Sequence, residues 1–172
     1  MTRRLIPIAV AILMGAALRA EVIDRVLAVV GAEGGGQVIT LSDVIAARDL
    51  GLQSAGDAPD PLRAILTKLI DRELELAEVD RYAPPEPSAE AVDREVAVVR
   101  ARFGSDADFE KALTRAGLDG RRLRETLRQN LRIRAYEDQR FTGAGDRRTI
   151  VFNEWMTGLR RRGDVIDLYA LR

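Results

Sequence analysis

The sequence contains neither cysteine nor histidine. Without cysteine there is no disulfide, no thiol nucleophile and no thiolate metal site. Without histidine the chain lacks the commonest general base, the side chain that titrates nearest physiological pH and the usual transition-metal ligand. Aromatic residues are scarce at 5 %. A core must therefore be built from Leu, Ile, Val and Ala, a mixture that favours helices over a sandwich or barrel. Lysine is nearly missing too: Lys68 and Lys111 are the only two, and arginine supplies the rest of the 27 basic side chains. Such arginine usage reflects codon bias more than chemistry. These absences disfavour most enzyme classes, and the reading expects no catalytic residue, no cofactor and no metal.

What is present begins with an address. Arg3 and Arg4 precede a mostly apolar run from Leu5 to Leu18, and Ala20 closes the segment before Glu21. This is the pattern of a secretory signal peptide over residues 1–20, with the cut expected between Ala20 and Glu21. The alternative is an uncleaved anchor, but fourteen residues interrupted by Pro7 and Gly15 fall short of the roughly 20 needed to span a bilayer. Thr2-Arg3-Arg4-Leu5 also resembles a twin-arginine signal. That route suits proteins folded around cofactors, so ordinary unfolded export is expected. Removing the leader leaves 24 basic against 27 acidic side chains, a balance with no global pull toward nucleic acid.

The remaining residues, 21–172, are long enough for a single domain with a real core. Val22 to Val30 and Gln37 to Thr40 are short β-prone runs, and the glycine-rich stretch between them predicts a hairpin. That stretch lacks the Lys-Ser/Thr of a phosphate-binding loop. A helix is expected next, with Ser42 as its cap. Asp60-Pro61 then opens the strongest helix of the chain. Its Leu62, Ile65, Leu66, Leu69, Ile70, Leu74 and Leu76 repeat near the 3.6 period, while Arg63, Lys68, Asp71, Arg72, Glu75 and Glu78 are expected to face water. Pro84-Pro85-Glu86-Pro87 stops it. Ser88 caps a further helix running to Phe103, Ser105 opens a short one holding Phe109 and Leu113, and Asp119 caps a long one reaching Phe141.

Residues 21–141 thus read as hairpin and helices, 142–148 as a flexible joint, and 149–172 as a closing helix and strand. A lone strand at Asp164 to Leu171 is not stable in water. It has to pair with the N-terminal hairpin, so the expected fold is mostly α, with a small antiparallel sheet joining the two ends.

This order of elements resembles the SurA-type periplasmic chaperones. The likeness is carried by Val26-Leu27-Ala28-Val29-Val30, the turn, and Val38-Ile39-Thr40-Leu41-Ser42-Asp43-Val44. It continues through Leu66-Thr67-Lys68-Leu69-Ile70-Asp71-Arg72-Glu73-Leu74 and through Phe109 to Leu118. It ends with Trp155-Met156 to Arg162 and Val165 to Leu171. Individually the motifs are soft, and their order over Val22 to Leu171 carries the likeness. The resemblance implies a helical chaperone core that holds unfolded polypeptides, outer-membrane β-barrel precursors among them, in the periplasm without ATP. Family members typically insert parvulin-type prolyl isomerase domains before the closing helix. Here only Thr142 to Arg148 fill that place, far short of a domain of about 90 residues, and the parvulin site relies on histidine. A holding role is carried over and catalysis is not. A residual or partner-dependent isomerase and a non-catalytic adaptor for one envelope partner stay open as alternatives.

A holding protein needs an accessible apolar groove, and Met and aromatic side chains repack around varied clients. Tyr136, Phe141, Trp155 and Met156, beside the joint, are the expected peptide-binding set, with plain core packing as the competing reading. Arg121, Arg122, Arg124, Arg128, Arg132, Arg134 and Arg140 outnumber Glu125, Glu137 and Asp138 on the long helix. They read as a solvated face with pairs such as Arg121–Glu125, not as a nucleic-acid or lipid site. Glu73 and Glu75, like Asp106 and Asp108, read as surface and capping carboxylates. Two carboxylates from separate elements across a cleft would be another matter, and spacing alone does not reveal such a pair.

Overall fold

A computed structural model describes residues 24–31 and 36–170. The leader at 1–20, with its Ala20/Glu21 cut, lies outside the described residues, as does most of the glycine-rich turn. The chain runs β1 (Val26–Val30), β2 (Gln37–Thr40), α1 (Leu41–Asp49), α2 (Pro61–Tyr82), α3 (Ala89–Arg100), α4 (Asp106–Arg115), α5 (Gly120–Arg140), α6 (Arg148–Arg162) and β3 (Val165–Asp167). The fold is mostly helical with one small antiparallel sheet.

The sheet has the order β2-β1-β3. Val29 stands opposite Val38 on one side and Ile166 on the other. The expected closure of the chain's two ends therefore occurs, though β3 is only three residues long. Two backbone bonds extend the pairing, Gly31 N–H to Asp164 at 2.6 Å and Leu168 N–H to Leu27 at 2.9 Å. The closing segment is also clipped to the start of α2. Asp167 pairs with Arg63 at 2.6 Å, and the Tyr169 hydroxyl donates to Asp60, the N-cap of α2, at 2.8 Å.

Helix starts follow their capping residues. Asp60, Ser88, Ser105 and Asp119 each accept a backbone N–H from the first turn, satisfying donors that the helix leaves without partners. The first helix departs from expectation. Its cap is Thr40, not Ser42, because β2 runs straight into α1. Thr40 leaves the strand in an extended conformation and forms a capping box with Asp43. The Ser42 N–H is instead taken by Asp24 at 3.2 Å. Helix α3 ends at Arg100, short of Phe103. The joint holds a 3-10 turn over Gly145–Arg147 that leads directly into α6.

Two apolar clusters form the core. The larger gathers the inner face of the sheet (Leu27, Ala28, Val30, Ile39), α1, the stripe Ile65, Leu66, Ile70, Leu74 and Val79 of α2, the second half of α5, and α6. Burying each large side chain of that stripe stabilises the fold by roughly 1.5–3 kcal/mol. The smaller cluster joins Leu50, Val99, Phe109, Ala112, Leu113, Leu123 and Leu127. Helix α5 belongs to both. Leu123 and Leu127 serve the small cluster, Ile133 and Tyr136 the large one, and Gln129 and Asn130 interrupt the apolar stripe between them. Gly163 ends α6 for a packing reason as well as a propensity one. A Cβ there would collide with the buried Leu74 side chain and lie 3.0 Å from the Leu159 carbonyl.

The arginines of α5 do not form a simple solvated face. Arg124 pairs with Asp93 of α3, Arg128 with Glu86 of the proline-rich link, Arg132 with Asp80 of α2 at 2.9 Å, and Arg134 with Glu95 of α3 at 3.0 Å. The expected Arg121–Glu125 pair is replaced by Arg128–Glu125 at 2.8 Å. Acids brought in by other elements meet the local positive surplus, which a count along one helix cannot register. Each exposed pair contributes little by itself, but together they bind α5 to α3 and to the end of α2. Among the described residues no helix is long and apolar enough to cross a membrane.

Candidate functional site: a cleft between the two cores

The four residues expected to bind peptide are brought together, but in the interior. Tyr136, Phe141, Trp155 and Met156 are all buried, the most exposed being Trp155 at 9 %. The Tyr136 and Trp155 rings lie 6.1 Å apart, Phe141 packs edge-on to Trp155 at 5.5 Å, and Phe152 completes the group. The Arg140 guanidinium lies 5.4 Å from the Trp155 ring centroid. This is core packing, the competing reading of the same stripe. An open depression bordered by Arg140, Phe141, Gly143, Ala144, Val151 and Trp155 touches the cluster on one side, and Phe152 and Met156 reach a second opening on another. Truncating Trp155 to Ala would thus excise core at a cost of about 3–5 kcal/mol, and it would not isolate peptide binding.

The second opening lies where the two apolar clusters meet. One chamber of about 570 Å³ is walled by α2, α3, α5, α6 and the loop after α1, and includes Val98, Val99, Phe152 and Met156. A second, of about 290 Å³, lies toward β2 and α1 over Ala46, Ala47, Leu69, Leu76 and Leu118. Leu52, Gln53, Arg72 and Asn130 border both. The chambers are therefore two halves of one cleft. Arg72 of α2 crosses between them, donating to Asn130 at 2.7 Å and to Gln129 at 2.6 Å while pairing with Glu73. The bridge falls where the apolar stripe of α5 is interrupted, so the break in the helix pattern and the polar crossing have one cause.

The charged residues of α2 do not all face water as its periodicity suggests. Arg72 and Glu73 expose only 12 % and 16 % of their side chains. With α1, α5, α6 and the sheet around it, α2 has neighbours on most sides, and its polar face becomes one wall of the cleft. Burial pushes the Glu73 carboxyl up, opposed by Arg72. Burial, with the nearby charges of Glu137 and Asp71, pushes Glu75 up to about 8. Burial also raises Glu137. Glu75 and Glu137 take no hydrogen bond or ion pair among the described residues. Glu73 and Glu75 are therefore not ordinary surface carboxylates. Asp108 supports the cap of α4: the Ser105 hydroxyl donates to its carboxylate at 2.7 Å while Ser105 accepts its backbone N–H.

A carboxyl raised by folding contributes stability that is complete below its ordinary value and is lost as pH rises through its folded value. For Glu75 that window runs from 4.5 to about 8. Glu75→Gln is expected to leave the melting temperature near pH 4 almost unchanged and to raise it clearly at pH 9. Parallel thermal melts at the two pH values measure this, and an equal shift at both would refute the assignment.

Among the described residues no group of carboxylates is arranged to hold a metal ion. The larger chamber is mainly polar: Lys68, Asp71, Arg72, Glu75, Glu95, Arg102, Arg134, Glu137 and Arg160 line it together with the amides of Gln53, Asn130 and Asn153, the Thr157 hydroxyl and apolar side chains such as Val98, Phe152 and Met156. No family model, no curated protein and no solved structure matches this chain.

Proposed function

We propose that the chain is a holding chaperone of the bacterial envelope. It acts in the periplasm after its leader is removed and keeps unfolded polypeptides soluble without ATP. Outer-membrane β-barrel precursors are the expected clients, and the cleft between the two cores is their site. In this reading the protein is not an enzyme, binds no cofactor, nucleic acid or metal, and releases clients by transfer to a more stable destination.

The observation that carries the reading is the divided cleft, amphipathic and bordered by two separately packed clusters. A site that must accept many sequences needs apolar and polar side chains together, and this lining mixes Val98, Phe152 and Met156 with amides and charged groups. The motifs of the SurA-type resemblance support it as well. They fall on the hairpin, the start of α1, α2, α4, α6 and β3, of which β2, α1, α2 and α6 border the cleft and β1 to β3 form the sheet.

The test uses Val98, which borders the larger chamber and is 54 % exposed. Val98→Arg should leave stability nearly unchanged, since exposed substitutions usually cost less than about 0.5 kcal/mol. It should also abolish suppression of aggregation for several unrelated unfolded barrels mixed with equimolar protein. Light scattering reads the result. Failure of the unaltered protein to suppress aggregation, or undiminished suppression by Val98→Arg, would remove the proposal. Suppression restricted to one partner would make the protein an adaptor, and prolyl isomerisation above background would make it an enzyme.

A further inference from the structure

The larger chamber holds a feature that client binding does not require. Glu75 on α2 and Glu137 on α5 line the same cavity from facing helices. Both are partly buried, and neither has a hydrogen-bonding partner among the described residues. Other charges around them are committed. On α2, Asp71 is held by Arg160 of α6 through two bonds of 2.6 and 2.5 Å, and Arg72 is held by Glu73, Asn130 and Gln129. Lys68 donates to the Ser54 carbonyl at 2.6 Å. From α3, Glu95 pairs with Arg134 of α5, and Arg102, just beyond α3, is bonded to the Leu50 carbonyl. Beside Glu137 on α5 lies Asp138, itself paired with Arg148 of α6 at 2.7 Å.

The two glutamates thus line one cavity without a bonded cation; Arg72 and Arg160 act to lower Glu75 and Arg148 and Arg134 to lower Glu137, and burial outweighs them. Two like charges in a poorly solvated space repel strongly, and the cheapest relief is a proton on one of them or water around both.

We infer that the cleft is a proton-operated gate, closed while Glu75 is protonated opposite Glu137 and opened to water when both are ionised. Opening moves α5 away from α2. The α6 clamp at Arg160 is loosened with it, because ionised Glu75 competes with Asp71 for the same guanidinium. The sheet and α4 line no part of the larger chamber and stay packed. The gate stands or falls independently of client binding.

Trp155 is the single tryptophan and sits on α6 against Tyr136 of α5, so its fluorescence reports on this joint. The full chain should show a red shift between pH 6 and 9.5 with a midpoint near 8, at unchanged far-ultraviolet circular dichroism. Glu75→Gln, a neutral isostere of the closed state, should abolish the step. Glu137→Gln should move its midpoint down by removing the facing charge. Hydrogen exchange should quicken across the step at amides 130–140 and 152–160 but not at 109–113. The gate is overturned by a missing step in the unaltered chain or by the same step in Glu75→Gln. It is equally overturned by an unmoved midpoint in Glu137→Gln or by loss of helicity along with the shift.

Discussion

Arg72→Met is expected to destabilise the protein by about 3 kcal/mol near pH 8, and by much less near pH 4. Methionine keeps most of the volume of the arginine stem, so the loss is polar in origin. It leaves the Glu73 carboxylate, 16 % exposed, without its cation, and it strips donors from Asn130 and Gln129. The sign follows from Glu73. Burial already raises this group, and Arg72 opposes the rise. Without Arg72 its folded value climbs further, so the deficit grows with pH above the ordinary glutamate value of 4.5. Below that value the carboxyl is neutral in both folded and unfolded chains, and the pair contributes little in either protein. Urea titrations at the two pH values measure the difference. The double variant Arg72→Met/Glu73→Gln should recover most of the loss, because removing both partners of a buried pair is far milder than removing one. A deficit independent of pH would place the cost in the bonds to α5 instead.

Phe109→Ala should have the largest effect of any single truncation in the smaller cluster, about 3–5 kcal/mol. Its ring is 1 % exposed. It packs 5.7 Å from the Phe103 ring, and the Arg100 guanidinium lies 4.9 Å from its centroid. The buried remainder of the cluster is Leu50, Val99, Ala112, Leu113, Leu123 and Leu127, none of which matches the volume of a phenyl ring. Against a total stability of roughly 5–15 kcal/mol this is severe. The loss should also be local. The two clusters share Leu52 and the span of α5 but are otherwise parted by the polar cleft. Amides of α4 and the first half of α5 should therefore lose exchange protection, while those of residues 65–79 in α2 keep theirs. Equal loss in α2 and α4 would mean that the clusters unfold as one unit.

What was legible in the sequence was what local chemistry determines. Asp60-Pro61, Ser88, Ser105 and Asp119 mark helix starts because an N-cap needs only its own first turn. The pairing of the closing strand with the hairpin was also within reach, since no other strand material exists to satisfy it. Ser42 misled because the cap is chosen by where β2 releases the chain, at Thr40, a matter of strand register and not of residue preference. The polar face of α2 misled for another reason. Periodicity separates two faces of a helix, but whether the polar one meets solvent depends on how many neighbours surround it. The same blindness hid the partners of the α5 arginines, which come from residues 80–95. Tyr136, Phe141, Trp155 and Met156 come together beside the joint as their spacing suggests, in the packed arrangement that the same stripe also allowed. The cleft itself left one trace: Gln129-Asn130 in an otherwise regular apolar stripe, which marks where α5 passes from one core to the other.

The central place of β1 has a consequence for the order of assembly. Val29 finds one partner within ten residues, at Val38, but must wait for Ile166 to find the other. A chain made and delivered from its amino end therefore carries a half-satisfied middle strand until nearly all of it has emerged. Closing so long a loop is slow compared with forming local helices. The helices can form early and the sheet last, so the fold stays unlocked until β3 has paired with β1.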